Sequence, residues 1–358
     1  MTRNKAARPP KRLVVARNDR LGDFILALPC FQLLKRRLPE VEVIAYLAEY
    51  TREIAGMCPA IDGVVVDPKL DKIDTIRHVT REWRERRFDA LLALRSVWDV
   101  SVPGLLSRIP IRVGPLTNLY SALFTHALRQ KRSKSIKPEW SYNLDLANHL
   151  LHLYGFEGET RIERPVIRLN SDRVREQRLM LRDRYGVNLE RPIVFVHPGQ
   201  SGTSNNLSAK QYADLIRGLR APQGISLVIT AGPGELALAR SVSSLIGDVG
   251  HAVFESTEGL RAFAETLANA DVFIASSTGP LHLAGALDRP TAGFYERRIT
   301  RGPLRWQTLN SPDRLLGFEP PPGADERDVP ATDIGVAISQ INNRFLSTGM
   351  PPDPAAVQ

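Results

Sequence analysis

The sequence predicts an α/β protein with two doubly wound domains in tandem and a cleft between them. Its 358 residues exceed what one average hydrophobic core organises. Short apolar runs alternate with amphipathic helical patterns, and the second half repeats the order of the first. Strands separated by helices at this spacing form a parallel sheet with helices on both faces.

The first domain is predicted to span residues 1–165. Five apolar runs are typical of buried strands and cover 12–17, 41–47, 63–68, 88–94 and 111–114. Helical patterns are predicted at 24–37, near 51–57 and at 73–87. The polar stretch 155–170 is typical of a linker between domains.

The second domain is predicted to span residues 166–340. Four apolar runs that end in turns cover 191–199, 225–235, 271–280 and 290–295. Helices are predicted at 208–219 and 260–270, from 281 onward, and over 331–345. The proline-rich end predicts a flexible tail at 341–358.

The composition is that of an ordinary globular chain, with 43% hydrophobic and 24% charged residues. No apolar run approaches the roughly 20 residues of a transmembrane helix. The basic leader lacks the apolar core of a secretory signal, so we expect a cytoplasmic protein. Cys30 and Cys58 have no spacing typical of a disulfide framework or a metal site, which predicts two buried apolar residues.

The formal net charge of +9 indicates an anionic partner. The densest basic cluster lies at 129–137 and is either a solvated loop or a binding site. No nucleic-acid-binding module accompanies it, so nucleic acid is not the expected partner.

Four turns are the candidate chemistry-bearing positions, because ligands of open parallel sheets bind at the carboxyl ends of the strands. They read NDRLGD, HPGQSGTSNN, AGPGE and SSTGPLH. Each alone has an ordinary structural explanation: glycine permits a tight turn, hydroxyls cap helices, and His197 would be a buried structural histidine.

Taken together, the turns predict a phosphate-binding site in the second domain. Helix starts near Thr278 and Gly279 offer free N–H groups and the positive end of a dipole. His282 would donate to a phosphate oxygen, and Glu235 would accept from ribose hydroxyls. In the first domain, Asp23 at a helix start would act as a general base.

Several enzyme classes are excluded by missing motifs. No GxGxxG follows the first strand, and the chain has no GxxxxGK[ST], GxSxG or HExxH. Readings as a dinucleotide oxidoreductase, P-loop protein, α/β-hydrolase or zincin therefore fail.

Two stretches, RLGDFILALP and STGPLHLAGALDRPTAGFY, carry a resemblance to a known family. With the supporting VHPGQSG and ITAGPGE, the ordered set resembles the bacterial heptosyltransferases of glycosyltransferase family nine. The resemblance runs from about Arg12 to about Trp306. It implies two Rossmann-like domains in the GT-B fold, with the acceptor on the first domain and the nucleotide sugar on the second.

The resemblance also implies the reaction and its residues. Family members transfer a heptose, commonly from an ADP-activated donor, to the lipopolysaccharide inner core with inversion, using neither a catalytic metal nor a bound cofactor. The LGD carboxylate maps to Asp23 as the base. Donor contacts map to His197, Gly199, Ser201, Thr203, Asn206, Gly232, Glu235, Ser277, Thr278, Gly279 and His282. Expected acceptor contacts are Arg20, Arg95, Arg129, Lys131, Arg132 and Lys134.

This chain departs from the family pattern at two places. The turn after HPG commonly carries a cation beside a tryptophan, whereas here Asn205, Asn206 and Leu207 occupy it. Ser277 stands where the late motif commonly has aspartate. These changes are compatible with a different donor, with reduced activity, or with a cation supplied by Arg297, Arg298 or Arg301.

Two other functions remain open on the sequence. One is a GT-B-like nucleotide-sugar epimerase or hydrolase, which would need no acceptor groove. The other is a non-catalytic relative that binds a glycan. The expected partners of a transferase are the nucleotide-sugar donor and an anionic lipid-linked glycan, and a lipid-anchored acceptor is compatible with contact at the inner face of the inner membrane.

Overall fold

A computed structural model describes residues 8–199 and 205–347. The chain divides into two compact units. The first contains the described residues up to Arg132 together with Ile136–Glu163. The second contains Ser133–Ser135 and the described residues from Arg164 onward, against a predicted domain boundary after residue 165.

The first unit is built on a six-stranded parallel sheet. Its strands are β1 (Arg12–Ala16), β2 (Glu42–Leu47), β3 (Gly63–Val66), β4 (Ala90–Ala93), β5 (Ile111–Pro115) and β6 (His126–Leu128). The order across the sheet is β3-β2-β1-β4-β5-β6. In register, Leu13 lies opposite Val43 on one side and Ala90 on the other, and all three are fully buried.

Six α-helices belong to this unit: α1 (Leu21–Ile25), α2 (Leu28–Arg37), α3 (Arg52–Ala55), α4 (Lys72–Arg86), α5 (Trp98–Leu106) and α6 (Glu139–Leu153). The single helix predicted at 24–37 is wrong, because α1 ends at Ile25 and α2 starts afresh at Leu28. Pro29 lies in the first turn of α2, where its missing N–H and fixed φ favour a helix start.

The second unit repeats this architecture. Its strands are β7 (Ile193–His197), β8 (Ser226–Ala231), β9 (His251–Glu255), β10 (Val272–Ser276), β11 (Thr291–Phe294) and β12 (Leu315–Phe318). They form a parallel sheet in the order β12-β11-β10-β7-β8-β9. The helices are α7 (Ser171–Tyr185), α8 (Ala209–Gly218), α9 (Leu236–Leu245), α10 (Gly259–Leu267), α11 (Gly279–Ala286) and α12 (Ile334–Ile341), followed by a π-helical turn at Asn342–Leu346.

The predicted α/β class with two doubly wound parallel sheets is confirmed. The predicted linker 155–170 contains neither helix nor strand, and α7 begins directly after it with Asn170 as its cap. The tail predicted from residue 341 begins at the last residue of α12 and continues through the π-helical turn, whose Leu346 is buried. Its remainder lies outside the described residues.

Each sheet has a switch point at which the connections after two neighbouring strands run to opposite faces. It lies between β1 and β4 in the first sheet and between β7 and β10 in the second. Ligands of doubly wound sheets bind at the carboxyl edge beside this point. The loops after β1, β7 and β10 are therefore where the two units place their sites.

Candidate active site

In the first unit, Arg17 follows β1 directly and gathers three carboxylates. Its Nε lies 2.8 Å from Asp19 Oδ1, its Nη1 lies 3.3 Å from Glu139 Oε1, and its Nη2 donates to Asp23. The Arg17 side chain is only 4% exposed. Burial lowers and the three carboxylates raise the pKa of Arg17, and the net shift is upward, so the guanidinium stays charged.

The predicted base, Asp23, lies in the short helix α1 and is 13% exposed on its side chain. Burial raises the pKa of the Asp23 carboxyl, whereas the Arg17 cation opposes that rise. A carboxylate held ionised by a cation but raised in pKa accepts a proton more readily than an ordinary aspartate.

Asp19, to which the sequence assigns only a turn, braces this cluster. Its second carboxylate oxygen lies 3.0 Å from Arg95 Nη1, and its carbonyl accepts from the Tyr50 hydroxyl at 2.8 Å. The expected acceptor contact Arg95 therefore stands beside Asp19, with its side chain half exposed.

Arg132, a predicted acceptor contact, makes several hydrogen bonds within the first unit. Its guanidinium donates to Glu139 at 2.7 Å, to Gln130 at 2.8 Å and to Asn143 at 3.2 Å. Because Glu139 also pairs with Arg17, Arg132 connects the basic loop to the Asp23 cluster. Sequence reasoning missed Arg17 and Glu139, since they lie 122 positions apart and no local motif joins them.

The remaining predicted acceptor residues, Arg20, Arg129, Lys131 and Lys134, are exposed. Two of them, Arg129 and Lys131, line a groove of about 490 Å³ beside α6. The same groove is lined by His149 and His152, which sequence reasoning also missed. Lys137 pairs with Asp145 at 2.6 Å and lies over the ring of Tyr142.

In the second unit, the loops after β7 and β8 meet around Glu235. The Glu235 carboxylate accepts from the Gly232 N–H at 2.9 Å and lies 3.4 Å from His197 Nε2. The other ring nitrogen of His197 lies 3.0 Å from Thr230 Oγ1. A Cβ at Gly199 would overlap the Glu235 carboxylate, so a glycine there leaves the space that this side chain occupies.

The loop after β10 presents the start of α11, with Ser277 half-buried, Thr278 as the cap residue and Gly279 as the first helical residue. Thr278 is 6% exposed, and its Oγ1 has no hydrogen-bond partner among the described residues. His282, 3% exposed, likewise has no partner for Nδ1 within that part of the chain. Burial lowers the pKa of His282 to about 4, so the ring is neutral at pH 7.

Asn206, a predicted donor contact, braces the loop after β7. Its Oδ1 accepts from Tyr212 Oη at 2.7 Å and from Ser276 Oγ, and its Nδ2 donates to the Pro198 carbonyl at 2.6 Å. Because protein groups already donate to its side-chain oxygen, Asn206 would affect binding of the nucleotide sugar by holding the loop after β7 in position. The predicted contacts Ser201 and Thr203 lie outside the described residues.

Within 8–199 and 205–347, no three His, Cys, Asp or Glu side chains stand together as a metal site. Across the same ranges, no helix is both long and apolar enough to cross a membrane. Cys30 and Cys58 are buried free thiols, as predicted.

Two six-stranded parallel sheets of this order, each with loops for ligands at its carboxyl edge, define the GT-B class of glycosyltransferase fold. A structure from Veillonella parvula DSM 2008, described as a glycosyl transferase family 9 protein, matches with a TM-score of 0.78 and 17% identity, covering 94% of this chain and 97% of that one. The E. coli heptosyltransferase WaaC with ADP matches with a TM-score of 0.68 and 16% identity, covering 93% and 99%.

Sequence comparison gives the family. The model described as "Glycosyltransferase family 9 (heptosyltransferase)" matches residues 76–317, more than half of the chain. A Haemophilus influenzae (strain Rd) protein named "Putative glycosyltransferase" is 36% identical over 317 residues, covering 88% of this chain and 91% of that protein. The chain belongs to glycosyltransferase family 9 and is a glycosyltransferase, which confirms the resemblance and does not favour an epimerase, a hydrolase or a non-catalytic protein.

Proposed function

We propose that this protein transfers a heptose, or a related sugar, from ADP-heptose to the lipopolysaccharide inner core or another cell-envelope glycan. The observation that carries the proposal is the Asp23 carboxylate beside the carboxyl end of β1, buried, paired with Arg17 and raised in pKa. The family supports a heptosyl donor, and a solved relative holds ADP.

The chemistry is a single displacement at the anomeric carbon. An acceptor hydroxyl attacks that carbon while Asp23 takes its proton, and the bond from the sugar to the diphosphate oxygen breaks. The bonding electron pair leaves with ADP, which carries the new negative charge. Attack from the face opposite the leaving group inverts the anomeric configuration, and no metal ion or bound cofactor takes part in the proposal.

The donor would bind at the second unit's loops. The N–H groups at the start of α11 suit phosphate oxygens, as does the Thr278 hydroxyl, which has no hydrogen-bond partner in the described part of the chain. Glu235, half-buried and hydrogen-bonded to the Gly232 N–H, would accept from the ribose hydroxyls. Preorganised donors of this kind stabilise the diphosphate as its charge develops.

The acceptor would bind at the first unit. In this unit, Arg20, Arg129 and Lys131 expose cations that suit the carboxylates and phosphates of an inner-core glycan. We expect a lipid-linked acceptor, with the reaction in the cytoplasm at the inner face of the inner membrane.

Calorimetric titration with ADP, UDP, GDP and AMP tests the donor half of the proposal. We expect ADP to bind more tightly than the other three nucleotides. ADP release from ADP-heptose should then require an inner-core glycolipid. A protein that binds none of these nucleotides, or one that releases ADP equally well without an acceptor, would overturn the proposal.

A further inference from the structure

Glu296 holds two arginines at the end of β11. Its carboxylate is 7% exposed, and its two oxygens lie 3.4 Å from Arg301 Nη1 and 3.9 Å from Arg298 Nη1. A buried carboxylate needs a cationic or hydrogen-bonded partner. One buried carboxylate therefore brings two guanidinium groups together at this end of the sheet.

This cluster lies next to the start of α11. β11 pairs with β10, with Phe294 opposite Ser276, and the Ser277 N–H donates to the Phe294 carbonyl at 2.9 Å. The residue after Ser277 is the α11 cap, Thr278. The arginine cluster and the start of α11 therefore both lie at the carboxyl end of the sheet, after the adjacent strands β11 and β10.

The loop after β7 reaches the same place. Asn206 accepts from Ser276 at the end of β10, and Asn205 Nδ2 donates to Glu296 Oε1 at 3.3 Å. The loop after β7 has no lysine or arginine at 205–207, and its Asn205 contacts the Glu296 carboxylate, which pairs with two arginines of another loop.

The arginine-bearing segment is held by its own hydrogen bonds. The Arg297 N–H donates to the Glu326 carbonyl at 2.8 Å, and the Arg301 N–H donates to the Arg298 carbonyl at 2.8 Å. Trp306 Nε1 donates to the Thr300 carbonyl at 2.9 Å. Cations on a fixed loop cost little reorganisation when charge develops nearby.

We propose that Arg298 and Arg301, anchored by Glu296, bind the diphosphate of the donor and stabilise it as it leaves; this inference rests on the proposed function. Guanidinium groups suit phosphate oxygens because their N–H donors match them bidentately. The Thr278 hydroxyl at the neighbouring helix start has no hydrogen-bond partner among residues 8–199 and 205–347, and it is a second, independent indication of an anion at this edge.

The double variant Arg298→Ala/Arg301→Ala tests the inference by titration with ADP and with adenosine. We expect the Kd for ADP to rise by about 10- to 100-fold, the usual cost of losing charge-assisted hydrogen bonds. The Kd for adenosine should stay within about twofold, since adenosine carries no phosphate. The control Arg175→Ala/Arg182→Ala removes the same two charges from exposed positions of α7 and should bind ADP as the native protein does.

The possible outcomes separate the two proposals. If the native protein binds no ADP, the proposed function fails, and the inference fails with it. If the native protein binds ADP and the double variant binds it equally tightly, the arginine inference alone is overturned. An equal loss of affinity for ADP and adenosine would place the effect on folding and would also overturn the inference.

A further variant tests the inference by restoring a cation at a different position and measuring the recovery of ADP affinity. Adding Asn205→Lys to the double variant returns a cation beside Glu296 from the β7 loop. We expect ADP affinity to recover at least about threefold, with adenosine affinity unchanged. A structural role for the arginines predicts no such selective recovery, and its absence would contradict the inference.

Discussion

Arg17 donates to Asp23, and this pair joins the end of β1 to helix α1 in a largely buried setting. Burial alone would favour a neutral carboxyl, and the guanidinium favours the ionised one. The outcome is a carboxylate whose pKa is above that of an ordinary aspartate, which suits a base that must accept a proton from a sugar hydroxyl.

Replacing Arg17 with glutamine removes the cation that Asp19, Asp23 and Glu139 share. The pKa of Asp23 should rise further, so the acid limb of kcat/KM should move to higher pH. The free energy of unfolding should fall by about 3 kcal/mol or more, as for a broken buried ion pair. A pH–rate profile and urea unfolding measure the two effects. An unchanged acid limb would show that Arg17 does not tune the base.

Alanine at Gly199 would place a methyl group where the Glu235 carboxylate lies. The carboxylate is the end of a flexible side chain, so it should move with little loss of stability and give up its bond from the Gly232 N–H. We expect both ADP and adenosine to bind about 10-fold more weakly, because Glu235 would no longer meet the ribose. Titration calorimetry and thermal melting measure these effects.

Gly250→Ala is the matched control, since a Cβ there meets open space without a left-handed φ. It should leave nucleotide affinity unchanged. Native-like adenosine binding by Gly199→Ala would remove Glu235 from the ribose site.

His282 should make the protein sensitive to acid. Its folded-state pKa is about 4, whereas an unfolded histidine titrates near 6.5. Below pH 6.5 the unfolded chain binds a proton that the folded chain does not, so the unfolding free energy falls until about pH 4. The full difference is about 3 kcal/mol.

Denaturant unfolding of the native protein and His282→Gln between pH 7 and pH 4 measures this term. The variant should lose less stability on acidification than the native protein does. Equal pH slopes for the two proteins would contradict the assignment of a neutral buried ring.

The fold was predictable where the strands are central. Leu13, Val14 and Val15 form a fully buried apolar run that only an interior strand explains. No apolar pattern in the sequence predicts β6, β9 and β12, which are edge strands. Such strands are short or half exposed and lack a continuous apolar signal. Helix α7 was missed because only Val174, Gln177 and Leu181 of its polar sequence are buried.

Single residues of the candidate site that lie in a glycine-containing turn could be proposed from the sequence. Partners that are distant along the chain could not. Asp23 and Glu235 stand in recognisable turns. Glu139 is the first residue of α6 and lies far along the chain from its partner Arg17. The side-chain amide of Asn206 is hydrogen-bonded to Pro198, Tyr212 and Ser276. Side-chain pairing across strands and loops depends on tertiary packing, which local sequence patterns do not encode.

Whether Asp23 is the base is tested by comparing Asp23→Asn with Asp19→Asn, since both aspartates pair with Arg17. The measurement is transfer from ADP-heptose to an inner-core glycolipid, beside ADP affinity for each protein. Asp23→Asn should lose about 10²- to 10⁴-fold in kcat and bind ADP as the native protein does. Asp19→Asn should lose far less. Native-like transfer by Asp23→Asn would show that Asp23 is not the base.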